Sequence, residues 1–185
     1  MPVLLVVVAY AIGCISPGHV LVRRATGLDL RATRTGSTGA RNAGRAAGLR
    51  VGAAVFLLDV AKGVVAVGLA ALTGAGDVVE AACVLAVVTG HVLPVQLRFR
   101  GGRGLSPALG GLLVAMPVAA LAALAVCAVV ALATRQLVAA GIAGAAAGAA
   151  AAWLIEPGWA AALITSAAVL IAAAHLRRPS GQLQG

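Results

Sequence analysis

The sequence predicts an all-α, polytopic integral membrane protein with about seven transmembrane helices, some of them short. Three observations carry that expectation. Of the 185 residues, 62% are hydrophobic and only 10% are charged, against about 25% charge in a soluble globular domain. The apolar residues gather into continuous runs at 2–22, 51–73, 78–97, 107–134, 137–155 and 159–174, most of them close to the ~20 residues a spanning helix needs. The runs do not alternate between polar and apolar positions, which excludes a β-barrel.

The first run is read as a span and not as a cleaved leader, because no basic residue precedes it. Seven arginines then follow between Arg23 and Arg50, three more lie at 98–103, and Arg177 and Arg178 follow the last run. Lys and Arg collect in cytoplasmic loops, so these three regions are expected on the cytoplasmic side. Asp77, Glu80 and Glu156 fall in the other connections. For Arg177 to emerge inside, the run 107–134 must fold as a hairpin or as two short spans. Met116-Pro117 supplies the break, since proline ends or kinks a helix. The expectation is one membrane domain over 1–185, with its N-terminus outside and its C-terminus cytoplasmic. Its cytoplasmic loops would cover about 23–50 and 98–106, with a short tail at 177–185.

Run 137–155 is dominated by alanine and glycine, with Gly141, Gly144 and Gly148 at helical spacing. Such a face lets helices approach closely in lipid. Cys14, Cys83 and Cys127 all fall inside predicted spans without ligand spacing. They are read as small packing residues, and neither a metal site nor a cofactor is expected.

Two loop sequences carry chemistry. Residues 98–106 read Arg-Phe-Arg-Gly-Gly-Arg-Gly-Leu-Ser. Glycines at this density allow successive backbone N–H groups to converge on an anion, and arginine holds phosphate as a two-pronged donor. The same composition also suits a turn at lipid head groups. Residues 34–45 read Arg-Thr-Gly-Ser-Thr-Gly-Ala-Arg-Asn-Ala-Gly-Arg. Their arginines follow from topology alone, but the interleaved glycines, hydroxyls and amide do not, and these are phosphate donors. His91 and His175 each end a span beside a basic loop, where a proton-transfer role or an interfacial one is open. Asp59 and Lys62 lie three apart on one helix face, as a functional pair inside the membrane or as a structural ion pair.

Together these residues resemble the acyl-phosphate:glycerol-3-phosphate acyltransferases, the PlsY family, of which the chain is identified as a divergent member. The family's first motif reads Gly-Ser-Gly-Asn-x-Gly-Ala-Thr-Asn followed by x-x-Arg, and residues 34–45 fill it. Gly36, Gly39, Ala40, Asn42 and Arg45 match. Thr35 retains the hydroxyl, and Ser37 replaces asparagine. The family's Asp-x-x-Lys-Gly recurs as Asp59 to Gly63, and its Gly-His-x-Phe-Pro as Gly90 to Pro94 with leucine for phenylalanine. Phe-Lys-Gly-Gly-Lys-Gly recurs as Phe99 to Gly104 with both lysines replaced by Arg100 and Arg103. The third motif keeps His175, places Arg178 where the family has asparagine, and lacks the later glutamate.

The resemblance implies transfer of a fatty acyl group from acyl phosphate to the 1-hydroxyl of glycerol 3-phosphate in a bacterial inner membrane, giving lysophosphatidic acid, with the site facing the cytoplasm. It implies catalytic roles for Thr35, Arg45, His91 and His175. It implies phosphate or substrate contacts from Gly36, Ser37, Gly39, Asn42, Lys62, Arg100, Gly101, Gly102, Arg103 and Gly104. Membrane lipids would be its surroundings, and neither nucleic acid nor an obligate protein partner is expected. The competing classes are a divergent paralogue that binds anionic lipid or acyl phosphate without turnover or uses another acceptor, a small transporter with Asp59 and Lys62 lining its path, and a purely structural membrane subunit.

Overall fold

The computed structural model describes residues 1–176. Arg177, Arg178 and the expected cytoplasmic tail lie outside the described residues. Among those described, every regular element is helical. Six segments are long and apolar enough to cross a membrane, and Leu105–Ala115 is a shorter seventh.

The first apolar run is broken in two, α1 (Pro2–Cys14) and α2 (Pro17–Thr26). Pro17 has no N–H to donate, and its ring would clash with the carbonyl four residues back if the helix continued. The break strands carbonyls at the end of α1 at membrane depth, where water does not replace the missing donors. They are satisfied by side chains from elsewhere. Lys62 Nζ donates to Gly13 O at 3.0 Å and to Ile15 O at 2.8 Å, and Gln96 Nε2 donates to Cys14 O.

After the first basic loop come α3 (Ala40–Ala47), α4 (Leu49–Leu72) and α5 (Asp77–Val92). Run 107–134 divides at Met116 as expected, into α6 (Leu105–Ala115) and α7 (Pro117–Thr134). At 1.5 Å per residue α6 is about 16 Å long, roughly half of a ~30 Å hydrocarbon core. The start of α6 and Leu137, just after α7, border the same cavity, so α6 and α7 form a hairpin that returns to its side of departure. α8 (Leu137–Ile155) and α9 (Trp159–Leu176) complete the bundle. Asp77 and Glu156 meet at the opposite end, where the Asp77 carboxylate pushes Glu156 above the usual carboxylate range.

Small residues set the helix spacing. A Cβ on Gly13 would strike the Val87 carbonyl, and one on Gly90 would strike that of Tyr10, so α1 and α5 pack backbone to backbone. Gly63 against Pro107 O and Gly110 against Val60 O do the same for α4 and α6. On α8, Gly144 faces Ala123 O and Cys127, while Gly141 faces the His175 ring. The small-residue face of α8 is therefore a packing surface for α7 and α9. Cys14 and Cys83 are buried, Cys127 is half-buried, and none is paired.

Gly110→Val will destabilise the purified protein by about 1–3 kcal/mol, the usual cost of overpacking. Gly68→Ala, which meets no atom within 4 Å, will not. Thermal melts in detergent or nanodiscs compare the two, and equal midpoints would refute the close α4–α6 approach.

Candidate active site

The two basic loops are clamped together before they build anything. Arg31 grips Asp29 with both prongs, Nε to Oδ1 at 3.0 Å and Nη2 to Oδ2 at 2.7 Å. That contact holds the Asp29 carboxyl down at about 2. Arg31 Nη1 also reaches Leu97 O in the second loop at 3.4 Å, and Thr38 N–H donates to Gly101 O at 3.3 Å. Asn42 Nδ2 staples the first loop from within, with Leu30 O at 3.1 Å, Thr33 Oγ1 at 3.1 Å and Ser37 O at 2.9 Å.

These loops roof a cavity of about 290 Å³. Thr35, Ser37 and Gly39 from the first loop border it, as do Asn42 and Arg45 of α3, with Arg103 and Gly104 from the second loop. His91 at the end of α5 and His175 at the end of α9 reach it from below. The first residues of α3 and α6 also border it, and helix N-termini present unpaired N–H groups and partial positive charge to an anion. Three guanidinium groups converge here, from Arg41, Arg45 and Arg103. Burial, with the nearby Arg41 and Arg45 charges, pushes Arg103 below its usual range. The bordering carboxylate, Asp59, lies 3.0 Å from Lys62 Nζ, so it is already balanced by a buried ammonium. The cavity has a strong net requirement for anions.

The two histidines differ. His175 Nδ1 lies 2.9 Å from Ile171 O, so Nδ1 carries the proton as donor and Nε2 keeps a free lone pair. His91 Nδ1 lies 2.7 Å from the Lys62 ammonium and 3.4 Å from Asp59 Oδ1; against the nearer, donor-only ammonium it accepts, which places the imidazole proton on Nε2.

Directly beneath, an apolar cavity of about 270 Å³ extends between α5, α6, α7 and α9. Phe56, Leu105, Ser106 and Cys127 border both spaces. Its walls include Val84, Leu112, Ile164 and Ile171.

Five of the expected contact residues stand apart from the cavity lining: Gly36, Lys62, Arg100, Gly101 and Gly102. Gly36 makes a turn at φ +66°, its N–H donating to Thr33 O. Arg100 is exposed, beside Arg31 and Arg98. The Gly101 and Gly102 amides donate to Val92 O at 3.2 Å and His91 O at 2.9 Å, which anchors the loop to the end of α5. Their lack of Cβ serves close packing on Pro94 and on the His91 ring. Lys62 donates to the carbonyls at the end of α1, with Asp59 Oδ1 3.0 Å from its ammonium. Arg41 and Ser106 border the cavity without a role expected from the sequence, and Asp59, expected only as half of a charge pair, borders it too. The signal for Arg41 is its i,i+4 relation to Arg45 on α3: two like charges on one helix face destabilise it unless an anion bridges them.

Comparison with known proteins agrees with this geometry. The sequence model of a family described as glycerol-3-phosphate acyltransferase matches residues 3–184. The chain belongs to the glycerol-3-phosphate acyltransferase family. It is 46% identical over 120 residues to the glycerol-3-phosphate acyltransferase of Myxococcus xanthus, covering 64% of this chain and 62% of that one. It is 44% identical over 135 residues to that of Rubrobacter xylanophilus, covering 73% of this chain and 67% of that one. The chain thus spans less than two thirds of the length of the Myxococcus relative. The crystal structure of PlsY (YgiH), an integral membrane glycerol 3-phosphate acyltransferase, in its glycerol 3-phosphate form superposes with a TM-score of 0.87 at 32% identity. That match covers 94% of this chain and 88% of the other. The lysophosphatidic acid form gives a TM-score of 0.84 at 30% identity, over 95% of this chain and 88% of the other.

Millimolar phosphate will raise the melting midpoint of this family member more than chloride at equal ionic strength, because an anion binding only the folded state stabilises it. The gain will shrink in Arg45→Ala and Arg103→Ala. Equal gains in wild type and both variants would place the anion elsewhere.

Proposed function

We propose that the chain moves a fatty acyl group from acyl phosphate to the 1-hydroxyl of glycerol 3-phosphate, yielding lysophosphatidic acid and phosphate. The observation that carries this is the continuity of a three-arginine cavity with an apolar one through four shared residues. A ligand with a phosphate head and a hydrocarbon tail fits both at once. The related PlsY crystal structures are named for their glycerol 3-phosphate and lysophosphatidic acid forms, the acceptor and product of this reaction.

The chemistry asks for placement and charge neutralisation more than for a covalent intermediate. Acyl phosphate is an activated mixed anhydride. The acceptor oxygen attacks its carbonyl carbon, a tetrahedral intermediate forms, and the bond to the phosphate oxygen breaks with both electrons leaving on phosphate. Arg45 and Arg103, aided by Arg41 and the N-termini of α3 and α6, hold the two phosphates at attack distance. The Thr35 hydroxyl donates to a phosphate oxygen. The free Nε2 of His175 takes the acceptor's hydroxyl proton and returns it to the departing phosphate. His91, whose Nε2 carries hydrogen, is a donor and cannot act as that base. The acyl tail lies between α5, α6, α7 and α9. Positive-inside placement of both arginine loops supports a cytoplasmic opening and an outside N-terminus, in a bacterial plasma membrane.

Purified protein given palmitoyl phosphate and radiolabelled glycerol 3-phosphate will form labelled lysophosphatidic acid. Arg45→Ala and His175→Ala will each lower the rate by about 10²-fold or more, the usual cost of losing one electrostatic or proton-transfer group. Unchanged turnover in either folded variant removes that residue from the mechanism. No product from folded wild type overturns the assignment.

A further inference from the structure

We infer that Lys62 is a positioning residue, whose ammonium closes the broken end of α1 and, by way of the His91 ring, fixes where the second loop presents Arg103. The inference rests on the acyl-transfer reading only for its kinetic readout.

Lys62 is almost fully buried, and its Nζ has four polar neighbours. Gly13 O is at 3.0 Å, Ile15 O at 2.8 Å, His91 Nδ1 at 2.7 Å and Asp59 Oδ1 at 3.0 Å. An ammonium has three hydrogens. The two carbonyls and the imidazole nitrogen take them, while Asp59 balances the charge. No hydrogen is left over for a substrate phosphate. Lysine is therefore needed here to join three elements: the end of α1, the middle of α4 and the end of α5.

The link to the loop runs through His91. With Nδ1 accepting from Lys62, the ring is held in one orientation, and its Nε2 edge lies against the Cα of Gly102. A Cβ there would collide with the ring. The His91 carbonyl also receives the Gly102 N–H at 2.9 Å. Ring and backbone of one residue thus set the height of the loop, and the next residue along the chain is Arg103. Tilt of the ring would carry the guanidinium with it. A guanidinium so displaced loses its two-pronged hold on a substrate phosphate.

Three preparations decide this: wild type, Lys62→Met and Gly102→Ala, each scored per folded molecule by size exclusion and thermal melting. Nitrogen-15 NMR of the imidazoles, with His91→Asn to assign the signals, should show His91 Nδ1 without hydrogen in wild type. A protonated Nδ1 overturns the inference. Gly102→Ala leaves Lys62 and its two carbonyl partners untouched but sets a Cβ against the His91 ring, which shifts ring and loop relative to each other. It should raise KM for glycerol 3-phosphate by about 10²-fold with kcat little changed, as loss of ground-state phosphate holding requires. Lys62→Met should show the same split and an altered His91 signal. Unchanged KM in folded Gly102→Ala, or in folded Lys62→Met, overturns the inference, because a purely structural lysine would lower yield alone. If Lys62→Met does not fold, Gly102→Ala and the wild-type NMR decide. Wild-type protein without turnover would defeat the acyl-transfer reading while leaving the NMR test of the Lys62–His91 contact intact.

Discussion

A carbonyl that loses its helical N–H within a bilayer has no water to turn to. Pro17 creates that situation at the end of α1, and the remedy organises the protein around it. Lys62 from α4 supplies hydrogens to Gly13 and Ile15, and Gln96 supplies one to Cys14. A buried ammonium needs a counter-charge, which places Asp59 one turn away on the same helix. The remaining hydrogen of the ammonium orients His91, and His91 sets the second loop. The break in α1 and the position of a guanidinium in the cavity are thus two ends of one polar network.

The cavity depends on a different balance. Arg41, Arg45 and Arg103 crowd together, and Asp59, the carboxylate that borders the cavity among the described residues, is already committed to Lys62. Like charges so placed repel, and they are tolerable where an anion completes the set. Arginine suits the task because its planar fork meets phosphate through two bonds and is less strongly hydrated than an ammonium. Below them the lining turns apolar at Phe56, Leu105 and Cys127. Charge fixes one end of a ligand, and burial of hydrocarbon fixes the other at about 25 cal/mol per Å² removed from water. A tail that joins the helices from the surrounding lipid has already left water, so the cavity mainly contributes shape and direction to it.

The helices were legible because lipid imposes length and continuity on them, and the break at Met116-Pro117 was legible because proline's chemistry is local. The division of α1 from α2 was equally local, yet Pro17 lay inside a run that composition alone treats as continuous. Thr35, Arg45, Arg103 and His175 could be picked out from motif and residue type, and they do meet at one cavity. Lys62, Gly101 and Gly102 were recognisable as special, but their contacts were not. Their partners are backbone carbonyls and a ring tens of residues away in sequence, and spacing along the chain does not encode such contacts. Arg41 escaped for the opposite reason. Its loop held so many arginines that only its place on one face of α3, four residues before Arg45, distinguishes it.

The central claim is that one ligand occupies the arginine cavity and the apolar cavity together. An experimental structure with a non-hydrolysable acyl phosphonate tests it most directly. The phosphonate will lie within hydrogen-bond reach of Arg45 and Arg103, with the chain running past Phe56 between α6, α7 and α9. A phosphonate seated instead beside the exposed Arg98 and Arg100, with its chain against the outer surface of the bundle, would contradict it.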